Sequence, residues 1–173
     1  EMVFRSGAPI EDRYIQTAES MEIKTAETTS FLTMALTDDG NILASIKAVS
    51  SAYPLVGELQ VIAEGQNDIN LDFKQPSPST VWAEQKILEA LNTKPGELIT
   101  LGKKKFKITG TLIDFPDRST GFLSFSPTII VNQTDLDQMG VIQVGSRVVY
   151  RQLYSAESSE LEIFLKEVEG DLN

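Results

Sequence analysis

Carboxylates are the acid–base groups that this sequence holds in number, because its 173 residues include no histidine and no cysteine. Histidine is the most common general base and metal ligand, and cysteine supplies thiolate nucleophiles and disulfides. Their absence excludes Ser-His-Asp and Cys-His hydrolysis, histidine-based zinc sites and disulfide bonds. The 25 Asp and Glu residues leave one enzymatic option, a pair of carboxylates acting as acid and base, as in glycoside hydrolysis.

One segment has part of the spacing of a calcium-binding loop. Asp135, Asp137 and Gly140 stand where such a loop has its first, third and sixth residues. The fifth position is Met139 and the twelfth is Ser146, so the oxygen ligands that calcium needs are missing. The segment therefore predicts a helix cap or turn. Glycine-rich phosphate-binding motifs and serine-nucleophile motifs are also absent, and the sequence predicts neither a catalytic residue nor a cofactor.

Two further segments are candidates for contacts with other molecules. Lysines 103, 104, 105 and 107 form the one basic cluster, which could contact lipid headgroups or an acidic partner. Lysines at a turn and on the solvent side of a strand also prevent unwanted edge pairing, and this interpretation is favoured. The second segment is a loop whose apolar residues surround turn-forming residues. These residues are Phe115, Phe122, Leu123 and Phe125.

The four apolar residues of this loop have two interpretations. If Phe122, Leu123 and Phe125 are exposed, they form an apolar patch that contacts a partner or an apolar cargo. In the other interpretation they fold back as a lid on the core. Both stay open at the level of sequence.

The charge of the chain limits its partners. Fifteen Lys and Arg against 25 Asp and Glu give a net charge of −10, which repels nucleic acids and anionic bilayer surfaces. No apolar run approaches the roughly 18 residues that a membrane-spanning helix requires. The chain begins with Glu1 and shows no signal peptide. We therefore expect a water-soluble part of a longer protein.

The elements that position these residues alternate irregularly between strands and helices. Alternating apolar residues predict strands, and apolar residues at helical spacing predict helices. The absence of regular β-α alternation indicates the α+β class. The predicted strands cover 2–5, 22–37, 42–48, 59–62, 98–101, 106–112, 127–131 and 146–154, and the predicted helices begin at 9 and cover 83–91, 134–139 and 159–168.

Several short segments follow one another in an order that is typical of one family. They are Met2-Val3-Phe4-Arg5-Ser6-Gly7, Ala48-Val49 with Tyr53-Pro54-Leu55 and Gly57, Val81-Trp82 with Leu88 and Leu91, Ile99-x-Leu101-Gly102, Phe106-x-Ile108-x-Gly110-x-Leu112, and Gly145-Ser146-Arg147-Val148-x-Tyr150-Arg151. In this order they resemble the periplasmic, MacB-like domain of ABC-transporter permeases of the FtsX/MacB type, in its YbbP-like branch. The resemblance covers nearly the whole chain.

The resemblance implies a location, a domain organisation and partners. It implies the periplasmic side of the bacterial inner membrane, in a full-length integral membrane protein. It implies a discontinuous α/β porter-like lobe of residues 1–57 and 141–173, with an inserted β-rich lobe of residues 58–140. The implied partners are a cytoplasmic ABC ATPase subunit and a periplasmic esterase or another periplasmic protein.

The resemblance favours a non-catalytic function. It implies a domain that transmits ATP-driven motion to a hydrophobic or lipid-linked cargo or to a periplasmic partner, while the ATPase subunit performs hydrolysis. Two alternatives remain. A carboxylate-dependent periplasmic hydrolase requires two buried acids within roughly 5 to 9.5 Å in a cleft. A plain protein-binding adaptor would use the loop of Phe122 to Phe125.

Overall fold

The computed structural model describes residues 2–8, 11–12, 16, 23–55, 57–116, 121–141, 147–155 and 162–168. In these ranges the chain is rich in strands and has few helices, which confirms the α+β class. The strands are β1 Met2–Ser6, β2 Lys24–Thr37, β3 Gly40–Val49, β4 Gln60–Ala63, β5 Thr80–Glu84, β6 Leu98–Leu101, β7 Lys104–Asp114, β8 Thr128–Asn132 and β9 Val148–Ser155. The helices are α1 Gln85–Ala90 and α2 Leu136–Met139, the 3-10 turns Gly121–Phe125 and Gln133–Asp135, and a helical segment at 162–168.

The strands form one continuous hydrogen-bonded sheet. Its order is β1-β9-β2-β3-β8-β5-β7-β4, and β6 lies off this path, paired with both β2 and β7. Those two pairings close a ring of strands, β2-β3-β8-β5-β7-β6. The ring is possible because β2 has 14 residues: its first part pairs with β9, whereas Ala35 and Leu36 near its end pair with β6.

The interior of the ring holds the larger apolar core. Successive strand residues point to opposite faces, so every second residue of each ring strand turns inward. Ala35 of β2, Ile46 of β3 and Phe106 of β7 are buried there, and helix α1 adds Ile87. Burial of the large side chains among them, such as Ile46 and Phe106, contributes about 1.5 to 3 kcal/mol each. The ring is therefore a packed unit rather than an open channel.

A second core lies against the opposite face of the sheet. Tyr53, Trp82 and Phe115 belong to it. Lys47 of β3 is buried here, with its ammonium group 5.5 Å from the centre of the Tyr53 ring and 5.4 Å from that of Phe115. Aromatic faces attract a cation, which helps a lysine to occupy this apolar layer.

Most predicted strands appear in the structure with small shifts at their ends. The predicted helix over 83–91 begins later, at Gln85, because Ala83 and Glu84 continue β5 in its pairing with β7. Most of the helix predicted from residue 9, and the start of the one predicted at 159–168, lie outside the described residues. The division into two lobes stays a prediction, and the sheet crosses its boundary where β3 pairs with β8.

Candidate functional site

Strands β5 and β7 end, and strand β8 begins, at one end of the sheet. A groove lies between these three strand ends. Its volume is about 330 Å³, and Glu84, Lys86, Ile113, Phe125 and Pro127 are among the residues that line it. The main-chain N–H of Thr128 donates a hydrogen bond to Oε2 of Glu84 at 2.6 Å. This bond ties the start of β8 to the end of β5 and holds the preceding turn in place. We call this site the Phe125 groove.

The side chain of Phe125 is 89% exposed at the rim of this groove. Leu123, two residues earlier, is 1% exposed, and Phe115 is 5% exposed in the second core. The side chain of Phe122 lies outside the described residues. Phe125 is therefore exposed, as the predicted apolar patch requires, whereas Leu123 is buried.

The 3-10 turn explains why neighbouring apolar residues of one loop separate in this way. A 3-10 helix rotates by about 120° per residue, so residues two positions apart face different sides. Leu123 enters the protein and anchors the turn, and Phe125 points to solvent. Loop composition by itself carries no signal for this rotation.

A second cleft lies between β2, β9 and α2. Its volume is about 390 Å³, and its lining includes Glu27, Thr29, Asp137 and Tyr150. The side-chain amide of Gln133 donates to Oε2 of Glu27 at 2.8 Å. Sequence reasoning did not bring these residues together, since Glu27 and Asp137 are far apart in the chain. The cleft offers hydrogen-bonding groups of net negative charge.

Asp135 is the one acidic side chain of the described part of the chain that is almost fully buried. Its Oδ1 lies 3.1 Å from Nζ of Lys104, and its Oδ2 accepts a hydrogen bond from the N–H of Ser79 at 2.9 Å. Both oxygens thus join the start of β7 and the turn before β5 to the turn that precedes α2. A buried pair of carboxylates, as the hydrolase alternative requires, is not found among the described residues.

The lysine cluster divides between two roles. Lys105 and Lys107 lie on the exposed side of β7, as the alternation predicts, and Lys107 is 3.3 Å from a carboxylate oxygen of Glu64. Lys104 instead reaches Asp135 and the side chain of Gln138. The predicted turn at 135–140 is also present, and no group of three or more metal-binding side chains occurs in the described ranges.

The chain matches one protein family over most of its length. Residues 3–164 match the MacB-like periplasmic core domain, and the chain belongs to this family. It is the periplasmic domain of an ABC transporter permease of the MacB/FtsX type, on the periplasmic side of the inner membrane. Among the described residues, no helix has the length and apolar character needed to cross a bilayer.

Individual relatives agree with this assignment. Over 166 residues, 96% of this chain, it is 27% identical to the uncharacterized ABC transporter permease YbbP of Escherichia coli K12. The chain spans 20% of the length of that relative. The fold is similar to the extracellular domain of the noncanonic ABC-type transporter YknZ from Gram-positive bacteria, with a TM-score of 0.61 and 13% identity, over 89% of this chain and 76% of that one.

The periplasmic region of MacB from Actinobacillus actinomycetemcomitans has a similar fold as well. Its TM-score is 0.58 and its identity 17%, over 98% of this chain and 82% of that one. The two solved structures align with 89% and 98% of this chain, so similar folds occur in proteins with very different sequences.

Proposed function

We propose that this chain is a non-catalytic domain that transmits ATP-driven motion of a permease to a hydrophobic or lipid-linked cargo or to a periplasmic partner. The observation that carries the proposal is the uninterrupted sheet. β1 and β9 are neighbours, with Met2 paired to Tyr154, and the hydrogen-bonded path runs from them to the strands of the Phe125 groove. A force applied at β1 and β9 therefore reaches the groove without crossing a flexible linker.

The groove lies towards the opposite end of the strands from Met2 and Tyr154. Tyr154 pairs with Thr25 of β2. Thr128 of β8 pairs with a residue of β3 that in turn pairs with Leu32 of β2, seven residues further along. Seven residues of a strand span roughly 23 Å along its axis. Phe125 lines the same groove as Glu84, which accepts the hydrogen bond from Thr128. In the proposal, β1 and β9 lie near the membrane and Phe125 meets the cargo or partner.

The proposed lobes give this path its two parts. Residues 1–57 and 141–173 form the porter-like lobe, residues 58–140 form the inserted lobe, and the pairing of β3 with β8 joins them. A cytoplasmic ATPase subunit, which the permease family implies in general, supplies the motion. A periplasmic esterase or another periplasmic protein is the proposed partner. Transmission requires that the contacts of the domain differ between the two states of the transporter.

The test replaces Phe125 in the intact permease, reconstituted with its ATPase in vesicles. A fluorescent lysophospholipid serves as the probe, and its ATP-dependent transfer to albumin is measured. We expect Phe125→Ser to lower this transfer about tenfold, because a largely apolar contact is lost, and Phe125→Leu to preserve most of it. Ile69→Ser is a matched control, since Ile69 is also exposed but does not line the groove.

Two results would contradict the proposal. If the Phe125→Ser variant transferred the probe as fully as the unchanged permease, the groove would not take part in transport. Hydrolysis of p-nitrophenyl glycosides by the purified chain would contradict a non-catalytic function and favour the carboxylate-dependent hydrolase.

A further inference from the structure

The cleft between β2, β9 and α2 lies on one face of the sheet. Glu27 and Thr29 of β2 line it with Tyr150 of β9, which pairs directly with Thr29, so these side chains share that face. Thr28 and Arg151 also line the cleft. They are a direct pair, and the alternation along both strands turns their side chains to the opposite face, where the second core lies. The cleft therefore meets the main chain of these two residues.

Gln152 lies on the same face, next to the part of the cleft that Glu27 and Tyr150 form. It is two residues from Tyr150 on β9 and pairs directly with Glu27, and the Cβ atoms of such a pair are about 5 Å apart. Gln152 is fully buried, and neither Nε2 nor Oε1 of its amide has a hydrogen-bond partner in the described structure. Glu27 accepts its hydrogen bond from Gln133 instead. A donor and an acceptor are thus unused beside a carboxylate of the cleft.

The charged side chains of the cleft are mainly acidic. Asp12, Glu27 and Asp137 belong to its lining, and no lysine is found among the described residues that line it. Lys103 has its side-chain carbons beside Gly140 at the edge of the cleft, but it is exposed and is not part of the lining. A cleft lined by one sign of charge concentrates groups of the opposite sign. The cleft therefore favours a positively charged group.

We propose that this cleft binds a ligand that carries an amide close to a cationic amine, which is the chemistry of a lysine residue in a peptide. The amide of the ligand donates to Oε1 of Gln152 and accepts from its Nε2, and the amine meets the carboxylates of Glu27 and Asp137. A buried amide without partners costs free energy, and a ligand that supplies both partners recovers this cost on binding. The cleft volume of about 390 Å³ is in the range of small-ligand pockets. The inference goes beyond the proposed function and does not depend on the Phe125 groove.

The test measures binding of three small probes to the chain by the shifts of its main-chain amide NMR signals. Acetyl-lysine amide carries both groups, acetyl-norleucine amide lacks the amine, and pentylamine lacks the amide. We expect the lysine probe to bind about tenfold more tightly than either of the others, because each of those loses one of the two interactions. Gln152→Met should weaken the lysine probe about tenfold and leave pentylamine unchanged. This substitution removes a buried amide without partners and should stabilise the fold, so unfolding would not explain weaker binding.

Charge and position have separate controls. Glu27→Gln keeps the shape of the side chain and should weaken the lysine probe about threefold, as expected for a partly exposed charge pair, while the norleucine probe is unaffected. Glu58→Gln changes an exposed acid outside the cleft and should have no effect. A pentapeptide with lysine between alanines distinguishes two sources of the ligand: tighter binding than the lysine probe supports a segment of a longer chain, and weaker binding supports a free small ligand. Equal binding of all three probes, no binding of the lysine probe, unchanged binding in Gln152→Met, or an equal loss in Glu58→Gln would overturn the proposal.

Discussion

Replacing Gln152 with methionine should stabilise the protein, although it removes a polar residue from a central strand. Gln152 lies on β9 opposite Glu27, is fully buried, and neither atom of its amide has a hydrogen-bond partner in the described structure. A buried polar group without a partner costs about 1–3 kcal/mol, and methionine has a similar shape without that cost. We expect the free energy of unfolding to rise by about 2 kcal/mol, because each of the two amide atoms without a partner contributes about 1 kcal/mol, the lower limit of that range.

Urea unfolding of the chain, followed by circular dichroism, measures this change directly. For a chain of this size, the melting temperature should rise by about 4–8 °C. Thr28→Val provides a graded comparison, because the hydroxyl of Thr28 is one buried atom without a partner, and the gain should be about half as large. A loss of stability of about 1 kcal/mol or more in Gln152→Met would refute the reasoning, because it would show that the amide makes a stabilising interaction in solution.

Three other predictions use the same unfolding measurement. Phe115→Ala should destabilise the protein by about 3–5 kcal/mol and Phe125→Ala by less than about 0.5, because the first ring is buried and the second exposed; equal effects would contradict the placement of the loop. Gly102→Ala should cost more than about 1 kcal/mol, since φ is +61° and an added Cβ would lie 2.3 Å from a main-chain oxygen; a neutral effect would contradict this. Asp135→Ala should cost about 3 kcal/mol and Asp135→Asn clearly less, because both variants lose the charge that faces Lys104 but asparagine keeps an acceptor for the N–H of Ser79; equal losses would show that this acceptor contributes little and that the lost charge accounts for the effect.

The sequence predicted the local elements well where alternation is regular and turn residues are distinctive. The hairpin of β2 and β3 follows from Leu32, Met34 and Leu36 and the turn at Asp39-Gly40, and the structure pairs these strands throughout. The predicted start of α1 at residue 83 was wrong. Ala83 and Glu84 favour a helix locally, but pairing with β7 holds them in an extended conformation. Tertiary pairing outweighs a weak local preference.

The candidate site was only partly accessible from the sequence. That the loop of Phe115 to Phe125 contacts a partner or cargo stays a prediction, and which of its apolar side chains reach solvent depends on the rotation of one 3-10 turn. The cleft between β2, β9 and α2 was missed, because it combines elements that are distant in the chain.

Amino-acid order alone determined the class, the family and the excluded chemistry, since these depend on residue types and on patterns within single strands. The closure of β6 onto β2, the burial of Leu123 and the exposure of Phe125 were decided by the tertiary structure. The physical reason is that a strand pattern specifies which side chains share a face, but only long-range hydrogen bonding specifies what that face meets.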